Sequence, residues 1–458
     1  MTDISALRGS FDGELLTRQD EGYEEARAIF NSAVETKPAV IARCAHVRDV
    51  QEALAFARRT GLPVAVRGGG HSVAGASLVE DGLVVDLRGL NSVVVSPDSR
   101  SAVVGGGANW GEFDGATQPH GVATTGGRVS TTGVAGLTLG GGSGWIERKF
   151  GLACDNLLSV DLVLADSRTV TASETENPDL FWALHGGGGN FGVATSLTFR
   201  LRPLPEFSVA LLLWPAEDGE AVASRFRDVI QQAPDEVGGG AFFITGPPEE
   251  FVPAELQGVL VSAALVTYIG GEADLRQHIA PLLELRPPGQ MITDIPYATL
   301  QSMLDNPPGL RNYWSAEYLR ELPGEAVRRF CASAYDMVVP SPSQHILLPW
   351  GGAVAANGDG WPMANRDVPW VAHPLGLWES PDDDERGKRW ARNMCSSLRP
   401  WSTGATYLNF IGDEGAGRVV AGYGRENYDR LARIKGEYDP DNVFNLWHNI
   451  RPGEYVVR

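Results

Sequence analysis

Cysteine is scarce: Cys44, Cys154, Cys331 and Cys395 are scattered over 458 residues without CxxC spacing. Neither a zinc site nor a disulfide framework is therefore indicated. Long apolar runs are missing as well. The longest uncharged one, Val209 to Ala216, is interrupted by Pro215 and falls far short of the ~20 residues a membrane span needs. Met1 to Asp20 has no basic start followed by an apolar stretch, so no signal peptide is read there and a cytoplasmic location is expected. Basic side chains are few, 38 against 57 acidic ones, leaving a formal charge of -19. Such a surface repels phosphate backbones and anionic lipid, so neither nucleic acid nor a membrane is an expected partner. HExxH, GxSxG and GxxxxGK[ST] are all absent. Zinc hydrolysis, elbow-serine chemistry and P-loop transfer lose their usual support, and no metal is expected.

Glycine, by contrast, is abundant and uneven. Clusters fall at Gly68 to Gly70, Gly105 to Gly107, Gly140 to Gly144 and Gly186 to Gly189, all in the first 200 residues. Between them run short β-rich segments such as Val64 to Val66, Leu83 to Leu87, Ala102 to Val104 and Val160 to Leu164. A helix is predicted over about Val47 to Arg59, from Val50, Leu54 and Ala57 at helical spacing and Gly61 just beyond. The GxGxxG run Gly187 to Gly192 follows a helix-like stretch, Leu180 to Leu184, and precedes a strand-like one. A Rossmann fingerprint needs the opposite order, so that reading is set aside.

Val64 to Gly75 is the informative segment. A strand running into three glycines leaves backbone N–H groups uncovered and able to approach a bulky anion such as a pyrophosphate. His71 follows directly, where backbone and ligand would meet. Farther on, Pro203-Leu204-Pro205 marks a boundary, after which prolines and tryptophans become frequent. Tyr428 to Lys435 returns to a helical pattern before the turn Tyr438 to Asn442.

Seven ordered runs, Arg67 to Gly75, Asp86-Leu87, Gly133 to Trp145, Gly151 to Leu157, Gly186 to Val193, Tyr407 to Phe410 and Tyr438 to Asn442, carry a resemblance over nearly the whole chain. It is similar to the berberine-bridge-enzyme-like branch of the vanillyl-alcohol-oxidase flavoproteins. The resemblance implies an α+β fold: a PCMH-type FAD-binding domain of two α+β subdomains from residues 1–203 and 404–458, and a substrate domain, 204–403, with an antiparallel sheet backed by helices.

It also implies bound FAD, tied through His71 to the 8α-methyl and through Cys154 to C6. Imidazole nitrogen and thiolate are nucleophiles suited to an electrophilic flavin. Further cofactor contacts are expected from Arg67, Gly68, Gly69, Gly70, Ser72, Gly75, Gly133, Gly136, Gly140, Gly141, Gly142, Gly144, Asn156, Gly192, Val193 and Asn409. Tyr407, in the Tyr-x-Asn motif, is the expected base, provided its pKa is lowered locally. Trp350, His373 and Trp378 are candidates to reach substrate, on local composition alone. His120 is placed near the cofactor and Leu157 near an oxygen gate. His185, Trp447 and Ser315 depart from residues common in the family. The expected reaction is hydride abstraction from a carbinol or C–N carbon of a small molecule, with reoxidation by O2. The alternatives are a dehydrogenase, an oxidative cyclase and a non-catalytic flavin-binding protein. Substrate identity and oligomeric state are not legible.

Overall fold

The computed structural model describes residues 4–357 and 360–453. Its first 200 residues build two small sheets. One has the strand order Glu14–Thr17, Val40–Arg43, Leu83–Asp86, Val64–Arg67, with the last three mutually parallel. Parallel strands need a crossover, and the helix Val47–Thr60 supplies one between Val40–Arg43 and Val64–Arg67, which flank Leu83–Asp86. Its Val50, Leu54 and Ala57 are buried, as their spacing requires. Gly61 ends it with φ 70°, a left-handed turn that a side chain would resist. The second sheet is antiparallel, ordered Val93–Val95, Ser101–Gly105, Val193–Arg200, Leu157–Val163, Thr169–Ser173. The helix Pro178–Ala183 precedes the 187–192 glycine run and a strand follows it, the order that argues against a Rossmann turn.

Sheet membership changes after Pro203. Ser208–Pro215 opens a large antiparallel sheet ordered Gly289–Asp294, Ser208–Pro215, Leu260–Tyr268, Val237–Thr245, Gln344–Pro349, Trp370–Trp378, Arg311–Trp314, with Glu317–Leu319 also on the Trp370 strand. Side chains alternate faces along a strand. Leu212, Trp214, Ala264, Val266, Leu347, Trp370 and Ala372 pack with Phe226, Phe330 and Leu398 of the helices Gly219–Gln232, Gly324–Ala334 and Asp384–Leu398. The opposite face, with Phe242, Ile346 and Leu348, joins the core shared with the first 200 residues. The sheet is thus backed by helices on one side, and its other side is free to wall a site. No helix among the described residues is long and apolar enough to cross a membrane.

A fully buried cation helps to tie the C-terminal segment to the first part of the chain. Lys435 Nζ, on the helix Arg425–Tyr438, donates to the carbonyl of Asn190 at 2.5 Å, to Asp439 Oδ2 at 2.5 Å and to the carbonyl of Phe444 at 2.7 Å. Both members of the ion pair are 0% exposed. Removing one partner of such a pair strands the other charge away from water. Lys435→Met is expected to lower unfolding free energy by about 3–5 kcal/mol, read by urea denaturation; a loss under ~1 kcal/mol contradicts this account of the anchor.

Candidate functional site

A cleft runs between the glycine-rich part and the free face of the large sheet. It encloses about 1950 Å³ of empty space, counting what is open to solvent. Gly68, Gly69, Gly70, His71, Ser72, Gly133, Gly136, Gly192 and Asn409 line it, as does His373 from the sheet.

Local chain geometry explains the glycine wall. The strand Val64–Arg67 delivers Gly68 to Gly70 against Gly133, where the helix Val134–Leu139 begins. A Cβ on Gly69 would lie 2.3 Å from the Gly133 nitrogen, so the two backbones can meet only without side chains. Gly136 and Gly189 also line the cleft, and a Cβ on either would meet nothing within 4 Å. Bare backbone therefore faces open space at two points of the glycine-rich wall, a cradle suited to a flat, extended, anionic cofactor.

His71 stands at the edge of this cradle. Its Nε2 lies 3.0 Å from the Thr131 hydroxyl and its Nδ1 3.3 Å from that of Thr132, while Phe30 stacks on the ring with centroids 4.2 Å apart. Burial pushes its pKa down to about 4, so at neutral pH the ring is uncharged and one nitrogen keeps its lone pair. That is the protonation state a covalent attachment through nitrogen requires. Sequence reasoning did not find Phe30, Thr131 and Thr132, which no motif marks.

Several expected contacts are not brought to the cleft. Cys154 is fully buried, and its sulfur sits 3.7 Å from Asp155 Oδ1 rather than at the wall. Burial and the neighbouring Asp155 carboxylate hold its thiol well above the ordinary thiol range, the reverse of an activated nucleophile. Arg67 points away, donating to the carbonyls of Ala26 and Ala28. Asn156 donates to the carbonyls of Phe150 and Leu152, fixing that turn. Gly75 makes room for Val34, and Val193 packs in the core beneath the parallel sheet.

Gly140, Gly141, Gly142 and Gly144 also serve other parts of the protein. Added Cβ atoms would strike Asn409, Met363 and Tyr407, Ala153, and the Gly126 carbonyl, respectively. Their lack of a side chain makes room for these protein groups. His120 is exposed beside Ser99, and Leu157 is buried at the start of a strand; neither lines the cleft.

Tyr407 lies directly behind the wall and is fully buried. Its phenol oxygen accepts from Gly142 N at 2.6 Å, Ser143 N at 3.1 Å and Asn409 Nδ2 at 2.9 Å. Burial nevertheless raises its pKa above the ordinary phenol value, against the lowering effect of those three donors. The condition set for it as a base, a lowered pKa, is not met in this arrangement.

Strand parity sorts the remaining candidates. On Trp370–Trp378, His373 and Leu375 face the cleft, whereas Trp370 and Ala372 face the helices. Trp378 shares the helix side, with Nε1 donating to Asp384 Oδ1 at 2.7 Å and its ring against Gly387. Trp350 is buried beneath the site, with its ring 5.6 Å from that of Tyr407. Only His373 of the three reaches the cleft. Gln344, Ile346 and Leu348, alternate residues of one strand, complete that wall with Phe242 and Trp314. Of the departures from the family pattern, Trp447 lines the cleft and covers Gly188. His185 is buried, stacked 3.7 Å from Trp361, and Ser315 donates to Glu414 Oε1 at 2.6 Å.

Residues 38–173 match the FAD binding domain family and residues 406–451 the berberine and berberine-like family. An uncharacterized FAD-linked oxidoreductase of Bacillus subtilis, YgaK, is 30% identical over 451 residues, covering 96% of this chain and 97% of that protein. (R)-6-hydroxynicotine oxidase of Paenarthrobacter nicotinovorans is 29% identical, with 97% of each chain covered. The crystal structure of 6-hydroxy-D-nicotine oxidase from Arthrobacter nicotinovorans superposes with a TM-score of 0.87 at 27% identity, covering 99% of this chain and 100% of that one. A glucooligosaccharide oxidase from Acremonium strictum shares the fold, with a TM-score of 0.84 at 23% identity.

Proposed function

Because the chain belongs to the berberine-like FAD-linked oxidoreductases, we propose that it is an oxidase that takes hydride from a carbinol or C–N carbon of a small molecule, with its FAD attached covalently through His71 alone. The bound flavin supplies the hydride-accepting chemistry and, on reoxidation by O2, yields hydrogen peroxide. The observation that carries this reading is the His71 imidazole held by two threonine hydroxyls at the edge of a bare glycine cradle. Cys154 is left out of the attachment, because its thiol is buried away from the cleft and held protonated.

The glycines at 68–70, 133 and 136 would hold the cofactor by close backbone approach, and the large sheet's free face would hold substrate above it. Tyr407 is proposed as proton acceptor in its deprotonated form, which its raised pKa confines to alkaline pH. Three N–H donors converge on its oxygen, while no acceptor for its own proton lies within reach among the described residues. Such a set favours the deprotonated oxygen. Burial opposes it, so the base form becomes available as pH rises. Ser143, whose N–H touches that oxygen, also lines the cleft, so one backbone step separates the phenol from the reacting space.

The oxidase reading is tested by mixing reduced protein with air-saturated buffer and following return of the oxidised flavin spectrum. Recovery within seconds, with one peroxide formed per flavin, is expected. A half-life of minutes would instead favour a dehydrogenase that hands its electrons to another acceptor.

A further inference from the structure

The substrate wall of the cleft carries a pattern of partners that narrows what can bind there. His373 is 2% exposed, and its Nδ1 lies 2.8 Å from the carbonyl oxygen of Ser315. A carbonyl can only accept, so Nδ1 carries the ring proton and Nε2 presents a bare lone pair. That Nε2 has no partner in the protein. Phe410 stacks on the ring with centroids 4.1 Å apart, and Trp314 meets it edge-on at 5.6 Å, so the acceptor is held rigidly. The indole N–H of Trp314 is likewise buried without a partner. Both residues line the cleft.

Around this acceptor and donor the wall is mostly apolar, Phe242, Ile346, Leu348 and Leu375, with Gln344 as its one polar strand residue among those described. Among the described residues Arg128 is the only formally charged one lining the cleft; its Nη atoms donate to Glu147 Oε1 at 2.8 Å and to Ser143 at 2.9 Å, while its buried Nε has no partner. The Arg128 charge is paired with Glu147, so among the described residues no unpaired charge faces a substrate carboxylate or ammonium. A polyhydroxy compound would bury hydroxyls against Ile346, Leu348 and Leu375, and each unsatisfied one is penalised. A hydroxyl answers both open groups, since it donates to a nitrogen lone pair and accepts from an indole N–H.

Resting on the flavin-site reading above, we infer that His373 is a specificity-determining residue whose Nε2 accepts a hydrogen bond from the hydroxyl of a small, uncharged, otherwise apolar ring compound. Charged compounds and oligosaccharides are excluded from this wall. Burial, which lowers the His373 pKa to about 3, keeps the lone pair free across the usable pH range.

The test is isothermal calorimetry on the holoprotein with four probes: benzyl alcohol, its methyl ether, benzoate and cellobiose. Benzyl alcohol should bind about tenfold more tightly than the ether, which has an acceptor but no donor. Benzoate and cellobiose should not bind measurably. In His373→Phe the alcohol should fall to the level of the ether while the ether is unchanged, and an unaltered visible flavin spectrum shows the site is intact. Equal binding of alcohol and ether, equal loss of both in the variant, no binding of benzyl alcohol, or binding of cellobiose overturns the inference. Its fate is separable from that of the oxidase reading. Reduction of the flavin by cellobiose would overturn this inference alone, whereas tight, His373-dependent binding of an alcohol that never reduces the flavin would count against the oxidase alone.

Discussion

His71→Ala is expected to release all of its flavin when the protein is denatured in acid, whereas Cys154→Ala keeps the flavin attached as fully as the unmodified chain. The physical difference between the two side chains is access and protonation. His71 lines the cleft, is uncharged at neutral pH and is oriented by the hydroxyls of Thr131 and Thr132. Cys154 is sealed behind the wall with its proton held tightly. Flavin fluorescence in the denatured protein band reads both variants at once. Attached flavin in His71→Ala, or its loss in Cys154→Ala, would reverse the assignment.

Tyr407→Phe should carry the second large effect, a fall in kcat of about 10²–10⁴ with flavin attachment unchanged. The sign of its pH dependence follows from the raised pKa. A phenol that holds its proton above the ordinary value is mostly neutral at pH 7, so kcat of the unmodified protein should climb with pH through the alkaline range, and the variant's profile should be flat there. The substitution also leaves Gly142 N, Ser143 N and Asn409 Nδ2 without their shared acceptor. A stability loss of roughly 1–3 kcal/mol is therefore expected alongside. Kinetics must be compared well below both melting temperatures. An alkaline rise that persists in Tyr407→Phe would return the tyrosine to a purely structural role under the Gly140 to Gly144 loop.

How much of this was legible in the sequence depends on what each signal encodes. The run Val64 to His71 could be read because strand, glycine turn and nucleophile are consecutive in the chain, so their order already states their geometry. The sheet backed by helices followed from the family resemblance. For Gly140 to Gly144 the sequence reveals that a glycine is needed, not what comes close to it. Asn409, Tyr407 and Ala153 approach from distant segments. Cys154 sits in a matching motif, yet nothing in neighbouring letters reports depth.

Trp350, His373 and Trp378 could not be sorted from composition because Trp370–Trp378 is buried on both faces and shows no polar-apolar alternation. With its register known, parity alone separates His373 in the cleft from Trp378 under the helix. The substrate wall was illegible for the same reason: Gln344, Ile346 and Leu348 read as an ordinary core strand until its partner across the cleft is known.

The central claim, a flavin held through His71 alone, is tested most directly by peptide mapping of the unmodified protein after tryptic digestion. The account predicts the flavin on the peptide running from Gly68 to Arg88, which contains His71, and the peptide from Phe150 to Arg168, which contains Cys154, at its unmodified mass. Flavin on the second peptide, or flavin left free in the acid supernatant, would contradict it.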